Sequence, residues 1–406
     1  MQKHTNESPK NLSKKVISAF RSDLGKSLLI AISWQLIITI CSLIIVAVLA
    51  PHVTPTAPFS PPTGYLLDYT THWDGVWYLG IMNGSYLEPL NSSPVFYPLF
   101  PTIVWGLGQI TFGLLDPTII ALLFNTICLT VAIFCLKKIS EKVIPKVNSW
   151  IAPALFLLTP AAIFINLFYV EALLCALGFL AYYLALKRMW LLCCIVLAFA
   201  TSAKLAGLLF AGLCALEFIS AHEWKIKKIF SDPKILLFAL APVGFISYSI
   251  YLHFVHGDAL AMFHDIAPWE YNRLNLNFIH TLYVSFRHTV NGVFFGGGFD
   301  YITFVSFLLP MVAIGLTIAA SIYSFIKLKN IPLGIFGLVA VVLFTLNDNI
   351  VSVHRYLLPV FVIYLALAHL FTSSKRLQPL LVVVLYLSIL IQMLVLTLFV
   401  VNIFAG

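Results

Sequence analysis

The chain has 406 residues, of which 61% are hydrophobic and only 10% are charged, and its formal net charge is +8. Soluble domains carry about 25% charged residues, so this composition excludes an ordinary soluble enzyme. Apolar runs of about 20 residues recur along nearly the whole chain, which predicts an all-α polytopic membrane protein. The positive charges lie in short clusters between these runs, as in cytoplasmic loops, and do not indicate a nucleic-acid partner.

Residues 1–27 are polar and basic, and no small-residue cleavage site is evident after them. We therefore predict a cytoplasmic N-terminal tail followed by a retained first span at residues 28–50. The next loop, residues 51–95, is interpreted as extracytoplasmic because its Asp and Glu residues are not accompanied by Lys or Arg. These acidic residues are Asp68, Asp74 and Glu88.

Segment 96–114 fits the charge pattern only if it does not cross the membrane. If it crossed, the lysines that follow the apolar run 117–136 would lie outside, against the positive-inside rule. The segment is also interrupted by prolines and glycines. We therefore predict an interfacial or re-entrant helix at 96–114, which extends the first outer loop to residues 51–116.

The other apolar runs then alternate between the two sides, and about eleven spans form a single membrane domain at residues 28–406. The long run 189–220, with Lys204 near its middle, is predicted to be a pair of short helices that turn near Ser202–Gly207. A second large outer loop covers residues 255–300. The remaining predicted spans are 117–136, 149–167, 170–186, 235–254, 301–326, 331–346, 356–372 and 378–402.

The cysteines all fall inside apolar runs, which predicts buried thiols with neither disulfides nor a metal cluster. They are Cys41, Cys128, Cys135, Cys175, Cys193, Cys194 and Cys214.

The sequence HWDGVWYLGI places an acid, Asp74, in the first outer loop. One interpretation is local: Asp74 is the N-cap of a helix that starts at Gly75, and Trp73, Trp77 and Tyr78 form an interfacial aromatic belt. The other is functional: Asp74 faces a cavity at the membrane surface and accepts a proton from a substrate. A capping carboxylate has a second oxygen, so both interpretations are compatible.

Residues 251–273 read YLHFVHGDALAMFHDIAPWEYNR and are rich in His and acidic residues. A metal site is one alternative, although no zinc-type motif is present. A solvated loop is another. We favour a loop in which Arg273 and His264 bind a phosphate group.

Three further charged residues lie where apolar segments reach the membrane surface or its interior. Arg355, in SVHRYLLP, stands at the outer end of a predicted span and either extends to lipid headgroups or serves a site. Lys204 lies within an apolar run, where a charge costs about 2.5–3.5 kcal/mol and therefore needs a cavity or a partner. Glu171 is the candidate partner, so a structural ion pair and a functional role both stay open.

These motifs resemble those of the PIG-V-like mannosyltransferases, the family of the second GPI mannosyltransferase and its prokaryotic relatives, within the GT-C membrane glycosyltransferases. The matching stretches occur in the family's order between residues 70 and 365. They are HWDGVWYLGIMNGSY, VFYPLFP, TPAAIFINLFYVEAL, SAKLAGLLF, GDALAMFHDIAPW and SVHRYLLPVF.

The resemblance implies a GT-C-type fold, an active site on the outer face and a polyprenyl- or dolichyl-phosphate sugar donor. It implies that Asp74 is the catalytic base and that Glu171 is the acid of the family's Tyr-x-Glu motif. Two positions depart from the family pattern. Ala259 replaces the usual Pro, and Lys204 stands where Arg is common, which keeps a cation but loses the bidentate fork.

The expected activity is an inverting hexosyltransferase, with mannose implied by the resemblance, that transfers a sugar to a hydroxyl of a lipid or glycan acceptor. Asp74 would take the hydroxyl proton, a role worth about 10²–10⁴-fold in rate. Cations would stabilise the departing phosphate. The candidates for the phosphate are Arg355, Lys204, Arg273 and His264, and those for orienting the acceptor or base are His72 and Glu171.

Two other classes remain as alternatives: a lipid flippase or polytopic transporter, and a non-enzymatic assembly subunit. Convergence of Asp74, Glu171, Lys204 and Arg355 on one outward-facing cavity would favour the transferase. No cofactor is expected, and a divalent metal stays open without a motif that indicates it. The predicted location is a prokaryotic plasma membrane, with the endoplasmic reticulum as the alternative because of the sequons at Asn83 and Asn91.

Overall fold

The computed structural model describes residues 22–54, 63–84, 94–264, 275–292 and 300–405. Within these ranges the chain is helical and contains no strand, as predicted. The helices in chain order are α1 (Asp23–Val48), α2 (Asp74–Met82), α3 (Leu99–Ile110), α4 (Pro117–Val143), α5 (Ile151–Leu157), α6 (Glu171–Leu186), α7 (Trp190–Ala203), α8 (Gly207–Ala221), α9 (Ile226–Ser231), α10 (Val243–His256), α11 (Ala261–His264), α12 (Phe278–Val290), α13 (Tyr301–Leu328), α14 (Ile331–Phe344), α15 (Val353–Tyr356), α16 (Val362–Ser373) and α17 (Gln378–Val400).

Five helical segments are long and apolar enough to cross a membrane. They are Asp23–His52, Pro117–Val143, Pro233–His256, Tyr301–Leu328 and Gln378–Val400. At about 1.5 Å per residue, each exceeds a hydrocarbon core of roughly 30 Å. Helix α1 illustrates how they pack: Leu36, Ile37 and Ile40 are exposed, while Trp34 and Ile38 on the other face are buried against the protein. The fold is that of an integral membrane protein, with shorter apolar helices packed among the long ones.

The predicted span at 149–167 is not one continuous helix. The seven-residue helix α5 ends at Leu157, and a 3₁₀ helix follows at Pro160–Ile165. Thr159 takes an extended conformation (ψ 144°), as expected for a residue before proline. The stretch from Ala161 to Val170 is almost completely buried, so it passes through the protein core and brings Tyr169 and Glu171 to the start of α6.

The turn predicted near Ser202–Gly207 is present. Helix α7 ends at Ala203 and α8 begins at Gly207. A Cβ atom at Gly207 would lie 2.2 Å from the carbonyl oxygen of Ala200, so this close approach of the two helices requires glycine. Lys204 therefore stands at a turn between two helices, with an extended backbone, and not inside a helix.

Two other predicted segments have different bounds. Helix α3 covers 12 residues of the predicted non-crossing segment 96–114, about 18 Å and thus less than a bilayer core. The helix of the predicted span 356–372 begins only at Val362, and Tyr356, the first residue of that span, belongs to the separate one-turn helix α15. The non-crossing of 96–114 stays a prediction.

Contacts at both ends of α1 and α4 fix the relative direction of these two helices. At one end, Lys137 and Lys138 near the end of α4 bind Asp23 at the start of α1, at 2.6 and 2.5 Å. At the other end, the loop after α1 meets the start of α4, where the backbone N–H of Leu66 donates to Asp116. Helix α1 and helix α4 are therefore antiparallel, and the Asp74 loop lies at the end away from the lysines.

Candidate functional site

The Asp74 loop contains a tight turn that leads directly into α2. The N–H of Gly75 donates to the carbonyl of His72 at 3.1 Å, which closes a four-residue turn. Trp73 has φ 53° and ψ −118°, the dihedral angles of the first central position of a type II′ turn, where glycine is preferred. Helix α2 begins at Asp74 itself, so Asp74 is not the N-cap of a helix that starts at Gly75.

Tyr169 connects this turn to the protein core. Its hydroxyl donates to the carbonyl oxygen of His72 and accepts from the backbone N–H of Asp74, both at 3.0 Å. A second tie lies next to it, since the N–H of Phe168 donates to the carbonyl of Thr70 at 3.0 Å. The buried stretch before α6 therefore fixes the backbone that carries Asp74.

Arg355 binds the Asp74 carboxylate although 281 residues separate the two in sequence. Its Nη2 atom lies 2.5 Å from Asp74 Oδ2, and its Nε lies 3.6 Å from Glu171 Oε1. The guanidinium also lies 5.0–5.4 Å from the rings of Phe164, Tyr169 and Tyr356. Such cation–π contacts stabilise a buried cation. Arg355 is therefore held by two carboxylates and three aromatic rings.

Lys204 completes a row of alternating charges. Its Nζ atom lies 3.0 Å from Glu171 Oε1 and 4.9 Å from the centre of the Tyr356 ring. Only 3–4% of the Arg355 and Glu171 side chains is exposed, against 17% for Asp74 and 21% for Lys204. The two ends of the row are therefore the accessible groups, and its two central members are buried.

Two cavities lie next to this row. One of about 10 Å³, lined in part by Glu171, Lys204 and Arg355, is too small for a sugar ring. The other is an apolar groove of about 270 Å³ between α8 and α14. It begins at Leu205, the neighbour of Lys204, and includes Leu343 at the end of α14. The charged row thus adjoins a groove lined by apolar side chains.

The remaining candidate residues are placed differently. The His72 ring contacts the carbonyl of Phe399 through Nδ1 at 3.2 Å and lies 4.0 Å from Asp68, so its partners are not the Asp74 carboxylate. Burial lowers the pKa of His72, although the Phe399 carbonyl and the Asp68 charge oppose this. His264 is exposed and pairs with Asp258 at 2.7 Å. Arg273 lies outside the described residues.

The Tyr-x-Glu motif predicted a role for its acid, Glu171, and none for its tyrosine, Tyr169. The structure adds the Tyr169 hydroxyl and the segment that follows α17, where the Phe404 ring lies 5.1 Å from the Trp73 ring. The signal for Tyr169 was its position two residues before Glu171. The described cysteines are free thiols, and no group of three or more potential metal-ligating side chains occurs among the described residues.

No known protein-family model matches this chain, and no curated protein sequence matches it.

Proposed function

We propose that the chain is an inverting membrane glycosyltransferase of GT-C type, with about eleven spans. It would transfer a sugar, mannose by resemblance, from a polyprenyl- or dolichyl-phosphate donor to a hydroxyl of a lipid or glycan acceptor. The observation that carries the proposal is that Asp74, Glu171, Lys204 and Arg355 contact one another in one row. The cavity expected for them is only partly formed, because Asp74 does not line the small cavity that the other three residues share. The row lies at the bundle end opposite the Asp23–Lys137 pair, as expected for an outward-facing site.

In the proposed reaction, the acceptor hydroxyl attacks the anomeric carbon of the donor sugar. A new C–O bond forms as the bond between this carbon and the phosphate oxygen breaks, and the bonding electron pair leaves with the lipid phosphate. The hydroxyl proton passes to the carboxylate of Asp74, which is partly exposed. Proton transfer to a positioned carboxylate is an ordinary general-base step.

The geometry divides the cations between two roles. Arg355 is almost completely buried and lies against both carboxylates, so we assign it to holding Asp74 and not to the donor phosphate. Lys204 is partly exposed and precedes Leu205, which lines the apolar groove, so we assign Lys204 to the leaving phosphate. The groove between α8 and α14 would then hold the lipid chain of the donor.

The test is sugar transfer by the purified chain, with polyprenyl-phosphate-mannose as donor and a lipid and glycan extract as acceptor. Release of polyprenyl phosphate in step with labelled product would support the function. The variant D74N keeps the side-chain shape and should lower the rate by about 10²–10⁴-fold. D68N is the matched control, because Asp68 is an acid of the same loop. Near-wild-type transfer by folded D74N would remove Asp74 from the role.

A further inference from the structure

The Tyr169 hydroxyl binds both peptide groups that flank one backbone residue, Trp73. It donates to the carbonyl of His72 on one side and accepts from the N–H of Asp74 on the other. A phenol hydroxyl has one donor and also accepts, so these two bonds use both capacities. A single side-chain atom thus fixes the peptide planes on either side of Trp73.

Trp73 is a residue whose backbone needs such support. Its φ of 53° is unfavourable for a side chain with a Cβ atom, at a cost of about 1–3 kcal/mol. Strained backbone of this kind persists when surrounding contacts determine it. Here those contacts are the Tyr169 hydroxyl, the Gly75–His72 hydrogen bond and the edge of Phe404 against the Trp73 ring.

Tyr169 can hold the turn because its own ring is fixed. The side chain is fully buried. Its ring lies 5.7 Å from that of Phe164, 5.9 Å from that of Phe399 and 5.4 Å from the Arg355 guanidinium. The same residue therefore contacts the backbone of Asp74 and the cation that binds the Asp74 carboxylate.

We propose that Tyr169 is a positioning residue, whose hydroxyl fixes the strained turn at Trp73 and thereby sets the position of the Asp74 carboxylate against Arg355. The kinetic consequence rests on the proposed function, in which Asp74 is the base. The structural consequence, which is the fixing of the Asp74 amide, does not rest on the proposed function. Tyr169 itself takes no proton in the reaction.

The variant Y169F removes both hydrogen bonds and keeps the ring. The matched control is Y182F, because Tyr182 is also fully buried. It lies on α6, about 17 Å along the helix from Glu171, and its hydroxyl bonds to Glu217. Two readouts are measured: hydrogen exchange of a peptide that contains the Asp74 amide, and steady-state kinetics with polyprenyl-phosphate-mannose.

In Y169F we expect faster exchange at Asp74 and a kcat lower by about 10–100-fold with the donor KM within about twofold, since a small misplacement of a reacting group has such an effect. Y182F should change neither. A residue that merely stabilised the fold would leave kcat of the folded fraction unchanged. Equal exchange in Y169F and wild type, or an unchanged kcat with active wild type, would overturn the proposal.

If Y169F alone does not fold, the double variant Y169F/W73G takes its place. Glycine adopts positive φ without strain, so the turn should form without the two hydrogen bonds from Tyr169, and folding should be restored. Failure to restore folding, where W73G alone folds without its Trp73–Phe404 contact, would count against the role of Tyr169 at this turn. If wild type transfers no sugar, the proposed function fails separately, and the exchange measurement still decides on Tyr169.

Discussion

Replacing Arg355 by methionine tests whether its main role is to hold Asp74. Methionine fills a similar volume but removes the guanidinium that lies 2.5 Å from Asp74 and 3.6 Å from Glu171. Glu171 keeps Lys204 at 3.0 Å, whereas Asp74 loses its ion-pair partner. Removing one partner of a buried pair costs about 3–5 kcal/mol. Because Asp74 is partly exposed, we expect a value near the lower end, about 3 kcal/mol.

The assay is reversible unfolding in mixed micelles for wild type, R355M, D74N and the double variant. If the two side chains stabilise each other, the double variant is less destabilised than the sum of the single variants, by about 1–3 kcal/mol. The kinetic expectation is a fall in kcat with little change in the donor KM. Additivity within about 0.5 kcal/mol would refute the pairing. A higher donor KM of R355M with unchanged stability would instead indicate that Arg355 binds the donor phosphate.

Two further predictions concern the groove and the loop. Gly212 lines the groove, and a Cβ atom there would meet no atom within 4 Å. G212L should therefore raise the KM of a long-chain donor about 15-fold (two lost CH₂ contacts, about 1.6 kcal/mol) and leave that of a short-chain analogue unchanged. G315L, at an equally open glycine of α13, is the control, and an equal effect on both donors would contradict the groove assignment. Burial lowers the pKa of His72 in the folded chain. Below about pH 6.5, His72 therefore binds a proton more readily in the unfolded chain than in the folded one, and the free energy of unfolding should fall as the pH drops. H72N should show a smaller loss of unfolding free energy between pH 7.5 and 5.5, and an equal loss would contradict this.

The sequence was sufficient for the helical class and for several local features. Apolar runs predicted the long helices, because burial in lipid requires continuous apolar length. The turn beside Lys204 followed from a run too long for one span and too short for two. The pairing of Lys204 with Glu171 followed from the cost of an unpaired charge in an apolar segment, and the two side chains do form an ion pair.

Other features depend on packing that a one-dimensional pattern does not contain. The stretch 149–167 is as apolar as a span, but it is apolar because it lies in the protein core, and Pro160 interrupts its helix. The Arg355–Asp74 pair joins residues 281 positions apart. Charge bias predicted both residues on one side of the membrane, but it did not predict their packing around Tyr169, which brings them together.

The charge balance of the row constrains how the proposed donor is recognised. Asp74 and Glu171 offset Arg355 and Lys204, so the row as a whole has no excess positive charge to attract a phosphate. Recognition must therefore come from Lys204 acting locally and from burial of the lipid chain in the adjoining groove, where each CH₂ contributes about 0.8 kcal/mol. Shortening the donor by several isoprene units should therefore cost more binding free energy than removing its phosphate contact. This expectation follows from a neutral row of charges beside an apolar groove.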